Sequence, residues 1–271
     1  MPTAPRSEGP SKARRAEHLD MDRLLEATSR SEHRHFWFRG FRRFVTPFIA
    51  AAVDGVQQAH ILDCGCGTGH NLDLLQDFGL AFGIDVSTVG LQLAHRVGRE
   101  RLTRGSVTGL PFGSARFDLV TSFDVLYALE EEDEHRAVGE MFRVLRPGGA
   151  AVLNVAAMPV LRGNHSVLSH EIRRYTARRL REALEGWGFR IERITHTYAS
   201  IFPVMLAIRV AQRLAGLAAE EKADREIAVP PVAVNAVLSS LLAVEARTLR
   251  WVNLPFGSSL LCLARKPAGR P

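Results

Sequence analysis

Residues Ile61-Leu62-Asp63-Cys64-Gly65-Cys66-Gly67-Thr68-Gly69 decide how this chain folds. An apolar run ends in an acid and passes into a loop with glycine at every second position. Gly65, Gly67 and Gly69 remove the side chains that would hold a ligand off the main chain. They also permit positive φ, and the helix that follows offers unpaired N–H groups at its start. Two nucleotide-type cofactors can use such a turn. In the dinucleotide fingerprint G-x-G-x-x-G/A, the third small residue lets helix and strand approach closely. Counted from Gly65, that position is His70. A pyrophosphate also repels carboxylates, whereas Asp63 at a strand end suits a cationic or hydroxyl-rich ligand.

A second apolar run, Leu80 to Ile84, again ends in an acid, in Gly83-Ile84-Asp85-Val86-Ser87. Asp85 falls sixteen residues beyond Gly69, the length of a helix and a second strand. A carboxylate there can accept hydrogen bonds from both hydroxyls of a ribose. The plainer alternative makes Asp85 the cap of the helix beginning near Thr88.

Together, Asp63-x-Gly-x-Gly-x-Gly69, Asp85, Leu110-Pro-Phe112, Phe117-Asp-Leu-Val120 and Leu145-Arg-Pro-Gly-Gly149 resemble the class I S-adenosylmethionine-dependent methyltransferases. Within them, the chain is most similar to the small-molecule group typified by quinone-biosynthesis enzymes. The likeness runs over about residues 30–195, with one strand near the end. It implies an α/β fold: a Rossmann-like, seven-stranded, mostly parallel sheet with an antiparallel last strand and helices on both faces. These motifs specify a cofactor and are silent about the acceptor.

Composition agrees with an enzyme of one domain, since 271 residues with 46% hydrophobic content can bury a sizeable core. Three cysteines make no disulfide framework and suit a reducing, cytoplasmic compartment. The Cys64-x-Cys66 pair lacks the second pair or His/Cys cluster that a metal site needs, so no metal is expected. Residues 1–16 are expected to form a disordered basic tail and carry no apolar run of the secretory kind. The net charge of +6 comes with only 7% aromatics and no recognised nucleic-acid module, so no nucleic-acid partner is expected. The oligomeric state is left open.

The methyltransferase domain is expected over 17–271, divided into a helical cover (17–55), a Rossmann-like core (56–199), a helical insertion (200–257) and a last strand (258–265). Strands are expected near 60–64, 80–84, 101–104, 117–122, 149–155, 189–197 and 258–265. Val138, Met141, Phe142 and Leu145 mark the buried face of a helix that Pro147-Gly-Gly149 stops. In the insertion, 201–219 and 232–250 are apolar but interrupted by Arg209, Arg213, Glu245, Arg247 and Arg250. Neither therefore spans a membrane. They form a lid over the acceptor pocket, pack as core, or rest on a membrane surface.

The resemblance assigns cofactor contacts to Asp63, Gly65, Gly67, Gly69, Asp85, Val86, Ser106 and Val107. It also places Phe123 and Asp124 beside the cofactor's methionine end, unless Asp124 only caps a helix. Ser106 stands where many relatives carry Asp. In the aromatic and arginine-rich segment 33–45, Arg39 is nominated to pair with the cofactor's carboxylate. The alternative is that Phe36, Phe41, Phe44 and Phe48 anchor an amphipathic helix and Arg39 is solvated. Methyl transfer from a sulfonium needs alignment and exclusion of water, and a hydroxyl or amine acceptor also needs a base. His165 and His170 are the candidates, with Arg173, Arg174 and Tyr175 placed to contact an anionic acceptor. The expected acceptor is small or lipid-like, methylated at oxygen. The alternatives are an NAD(P)-dependent oxidoreductase and a cofactor-binding scaffold without catalysis.

Overall fold

Each apolar run bounded by glycine, proline or an acid becomes a strand of one sheet. The computed structural model describes residues 12–161, 171–214 and 228–269. In chain order the strands are β1 (Ala59–Cys64), β2 (Gly79–Asp85), β3 (Leu102–Arg104), β4 (Phe117–Phe123), β5 (Leu145–Ala156), β6 (Arg190–Thr197) and β7 (Ser259–Arg265). Their spatial order is β3-β2-β1-β4-β5-β7-β6. β1 to β5 pair in parallel, and β7 enters antiparallel between β5 and β6. This is the Rossmann-like sheet expected from the motifs. Its order reverses between β1 and β4, the crevice where open α/β sheets bind ligands.

Two helices precede the sheet, α1 (Lys12–Ser31) and α2 (Phe36–Ala52); α1 thus begins inside the stretch expected as a tail. Between strands run α3 (His70–Leu75), α4 (Thr88–Arg96), α5 (Glu131–Val144) and α6 (Ala177–Glu185). One face of the sheet packs against α2, α3 and α4 through Phe41, Phe44, Phe48, Leu72 and Leu91. The other face packs against α5 and α6 through Val138, Met141, Leu180 and Leu184.

The expected stop of α5 is corrected in detail. The helix ends at Val144, and Leu145 to Pro147 already belong to β5. Gly148, at φ 82°, turns the chain there, and the β4–β5 register shifts between Phe117 and Leu119 to absorb the irregularity.

The insertion holds α7 (Phe202–Leu214) and α8 (Val232–Thr248). The inner face of α8 is core: Leu242 is fully buried and sits against Gly40 of α2, where any Cβ would overlap it. Asn235 fastens the same pair by accepting from Phe36 N (2.8 Å) and donating to Arg34 O (3.0 Å). Buried Glu245 accepts from Ala199 N, Ser200 N and Ser200 Oγ (3.0, 2.8 and 2.6 Å). These bonds tie α8 to the entry of α7. No helix among the described residues is long and apolar enough to cross a membrane.

Candidate active site

The glycine turn adopts the conformation its composition permits: Gly65, Gly67 and Gly69 have φ of 80°, 52° and 75°. Gly65 N and Cys66 N both donate to Ile84 O (2.8 and 3.0 Å), which pins the turn to the end of β2. Asp85 then joins the two strand tips. Its carboxylate accepts from Gly67 N and from Ser87 N, both at 2.7 Å. The cap of α4 is Ser87, whose Oγ accepts from Gly90 N at 3.0 Å. Asp85 is therefore not the cap. One oxygen accepts from Gly67 and the other from Ser87, with Val86 N also beside the carboxylate, and acceptor capacity remains for a ligand hydroxyl. Burial raises its carboxyl above the ordinary range, against the pull of the three backbone N–H groups around it.

Asp63 is 1% exposed. One oxygen accepts from Thr121 Oγ1 at 2.7 Å, and the other has no partner among the described residues. Burial, reinforced by the negative charge of Asp85 and opposed by the Thr121 hydroxyl, pushes the carboxyl up to about 7. A buried carboxylate oxygen without a partner beside a bare glycine turn has the chemistry to accept from a cationic donor. The ammonium of S-adenosylmethionine is such a donor.

Of the other expected cofactor contacts, Val86 and the Ser106-Val107 turn adjoin the β2 tip. Val86 is half exposed at the tip of β2, and Val107 is buried. Gly105 N donates to Asp85 O (3.0 Å), which brings the Ser106-Val107 turn to the β2 tip. Ser106 is exposed with its hydroxyl paired to Thr108 (2.8 Å). Phe123 is buried edge-on against Phe41 of α2, ring centres 4.9 Å apart. Arg39 is exposed on α2, and its guanidinium makes no hydrogen bond or ion pair with the described residues, while Phe41, Phe44 and Phe48 anchor that helix in the core.

Over the turn lies α1. Leu25 comes within 3.1 Å of where a Cβ on Gly67 or on Gly90 would sit. Ser87 Oγ donates to Asp22 at 2.7 Å. At the α1–α2 junction, buried Glu32 accepts from Thr68 Oγ1 (2.8 Å) and lies 3.8 Å from His70 Nδ1 and 4.0 Å from Arg99. Burial raises the Glu32 carboxyl, and burial with the charges of Arg42 and its neighbours lowers the His70 imidazole to about 4. Glu32, His33 and His70 hold ligand-type atoms within 4.8 Å of one another. Arg42, 3.4 Å from His70 Nε2, and Arg99 place positive charge on the same groups, so the cluster reads as a clasp between cover and loop. His70 fills with an imidazole the place where the dinucleotide fingerprint needs a small residue.

Asp124 is the group whose importance the motifs understate. It follows β4 with φ 60°, a costly conformation for a residue with a Cβ. Its N–H donates to Asn154 O and its Oδ1 accepts from Asn154 Nδ2, both at 2.9 Å. No helix is capped by it, because the short turn Leu126–Ala128 has Val125 at its start and no side-chain cap. The residue is exposed, yet protein crowds around its carboxyl. That crowding, with Glu171 adding to it and Asn154 and Arg174 opposing it, raises the carboxyl to about 7.

His165 and His170 lie outside the described residues. The three acceptor-contact candidates that follow them have internal partners. Arg173 bonds Glu134 (2.8 Å), and Tyr175, fully buried, donates to the same carboxylate (2.6 Å). Arg174 makes a two-pronged pair with Glu171 (2.7 and 2.9 Å) and donates to Ala157 O. Arg174 remains beside Asp124 electrostatically; Arg173 and Tyr175 fasten β5 and α6 to buried Glu134 of α5.

Residues 62–153 match a family model described as a methyltransferase domain. The chain is 32% identical over 163 residues to a protein of Mycolicibacterium smegmatis named a probable S-adenosylmethionine-dependent methyltransferase; the match covers 58% of this chain and 61% of that one. It is 34% identical to the demethylmenaquinone methyltransferase of Lactiplantibacillus plantarum, over 51% and 58% of the two chains. A chain from the Haloferax volcanii complex of the Trm112 methyltransferase activator shares the fold, with a TM-score of 0.59 and 19% identity over 95% and 99% of the chains. Residues 62–153 thus resemble a methyltransferase domain, and the two relatives matched here are named as methyltransferases. The chain spans about three fifths of the length of these two curated relatives.

Proposed function

We propose that the protein transfers a methyl group from S-adenosylmethionine to a small or lipid-like acceptor, at oxygen. The observation that carries this reading is the buried oxygen of Asp63 beside the glycine turn, unpartnered among the described residues, with Asp85 at the adjoining strand tip. S-adenosylmethionine, when bound, supplies an electrophilic methyl on a sulfonium.

The chain's own part is to hold and to exclude. Asp63 would pair with the ammonium, Asp85 would accept from the ribose hydroxyls, and Gly65, Gly67 and Gly69 would let main chain approach the ligand. Val86, Ser106 and Val107 would hold the adenine, Phe123 the methionine end, and Arg39 would pair with the carboxylate. α1 and α2 act as a cover that keeps water from the reacting atoms.

A hydroxyl acceptor must lose its proton. Asp124 serves as the base offered by the described residues, since a carboxyl near 7 is half ionised at neutral pH and sits at the carboxyl end of the central strands. His165 and His170 are the further proposed bases, and Arg174 orients an anionic acceptor beside Asp124. The likeness to a quinone-precursor methyltransferase favours a lipid-like acceptor.

The test is release of S-adenosylhomocysteine from the cofactor with quinols, phenols and fatty acids as acceptors, alongside calorimetric titration of the cofactor. Binding with release identifies the enzyme and its acceptor class. Tight binding without release from any acceptor favours the scaffold, and tight binding of NAD(P) with none of S-adenosylmethionine refutes the reading.

A further inference from the structure

Helix α8 has two apolar faces and uses only one. Leu238, Leu242, Ala246 and Leu249 turn inward to the core, whereas Val234, Val237, Leu241 and Val244 recur on the opposite side and are exposed. Helix α7 shows the same excess: its exposed described side chains are Pro203, Val204, Ala207, Ile208, Val210, Ala211 and Leu214, all apolar. The water-facing side of a helix is ordinarily polar, and a continuous apolar face marks a contact. The turn after α8 adds Trp251, 87% exposed, with Val252 and Phe256. Phe256 packs on Phe202 of α7 (ring centres 5.5 Å apart), and Glu245 binds the entry of α7. The three pieces therefore adjoin.

From these features we infer that the outer faces of α7 and α8, with the Trp251 turn, form a docking surface for an anionic lipid bilayer. Charge selects this occupant. Over 201–214 and 228–257 the described acid is Glu245, buried and bonded to Ala199 and Ser200. Arg247 and Arg250 are exposed at the rim. The acids Glu220, Glu221, Asp224 and Glu226 belong to 215–227, outside the described residues. Valine and leucine faces, an exposed indole and flanking arginines are the parts of an interfacial anchor, in which apolar side chains enter the acyl boundary and cations meet acidic headgroups. A second copy fits less well: a two-fold dimer would set this surface against itself, and among the described residues it offers Arg247 and Arg250 no exposed carboxylate. The bilayer would supply the lipid-like acceptor, so the purpose of docking rests on the proposed function, while docking itself needs no turnover.

The experiment is flotation of the full chain with vesicles of phosphatidylcholine and phosphatidylglycerol (3:1) and of phosphatidylcholine alone, read also by tryptophan emission. Docking predicts binding to the anionic vesicles, weakened by high salt, with a blue shift that Trp251→Phe abolishes. Val237→Glu with Leu241→Glu, both on the exposed face, should lower partitioning at least about tenfold, with the melting temperature and cofactor affinity unchanged. Equal partitioning of that variant, or no binding to anionic vesicles, overturns the inference. So does a wild-type dimer that Val237→Glu converts to monomer, which assigns the face to a second copy. Methyl transfer to a detergent-dispersed lipid acceptor is measured separately: activity without vesicle binding removes only the docking, and vesicle binding without activity removes only the acceptor assignment.

Discussion

Replacing Asp63 with Asn should make the free protein more stable at neutral pH and at the same time weaken its hold on the cofactor. In the folded chain the Asp63 carboxyl stands at about 7, against an ordinary 3.8, chiefly because it is buried. A group raised in the folded state contributes full stability below its unfolded value and loses it as pH climbs through the folded value. At 1.36 kcal/mol for each pH unit between 3.8 and about 7, ionised Asp63 costs the fold on the order of 4 kcal/mol at pH 8. The effective dielectric of a protein interior, higher than that of dry protein, relaxes this to about half. Asn keeps the shape and the bond from Thr121 without the charge, so the variant should melt roughly 4–8 °C higher at pH 8. The gap should shrink below pH 7 and close below 4. Cofactor affinity should fall about 10- to 150-fold, the range of a charge-assisted bond. In the wild type, the same titration predicts affinity dropping up to tenfold per pH unit below 7, as Asp63 takes a proton that binding must expel. Scanning calorimetry across pH 4–8 and isothermal titration with S-adenosylmethionine decide it. An Asn variant no more stable at pH 8, or one that binds as tightly as wild type, would refute the argument.

Asp85→Ala should weaken cofactor binding by about 1.5–3 kcal/mol, because both oxygens already organise Gly67 and Ser87; unchanged affinity in calorimetry rejects the ribose role. Gly67→Val should abolish binding, since it combines a positive φ with a β-branched side chain pressed toward Leu25, and persistent binding would show the turn to be misassigned. For Asp124→Asn, the wild-type rise of kcat through about pH 7 should disappear and the rate fall by about 10²–10⁴. A mutant profile that keeps the same rise returns the base to His165 or His170. Leu242→Ala should destabilise the fold by about 2–5 kcal/mol through loss of α8 packing on α2, with cofactor Kd unaltered; a Kd change as large as the stability loss would place α8 in the cofactor site.

Most of the sheet was legible because its strands end in residues that allow nothing else. The run into Asp63 and the run into Asp85 end within one residue of expectation, and the antiparallel β7 lies where the motifs put it. Local spacing failed where a side chain's partner is distant. Arg173 and Tyr175 read as acceptor contacts because their shared partner, Glu134, sits about forty positions earlier and looks in sequence like one of several acids opening α5. Asp124 read as either a ligand neighbour or a cap, because a positive φ on a residue with a Cβ leaves no trace in composition. The clasp of Glu32 on Thr68 and His70 was invisible for the same reason, since it joins the chain ahead of α2 to the glycine turn. Both apolar faces of α8 were present in the sequence as a helix apolar nearly all round. Only the packing on Gly40 shows which face the core takes.

Thr197 and Ser259, the last residue of β6 and the first of β7, are direct partners across the sheet. Everything between them therefore leaves and re-enters the scaffold at a single rung, like a drawer on one runner. The entropy of closing such a loop grows only slowly with its length, and exchanging its contents shifts no strand register. Its contents can therefore be exchanged while the order and pairing of the strands stay as they are. One condition applies: the replacement must still bring an apolar side chain to the dent at Gly40.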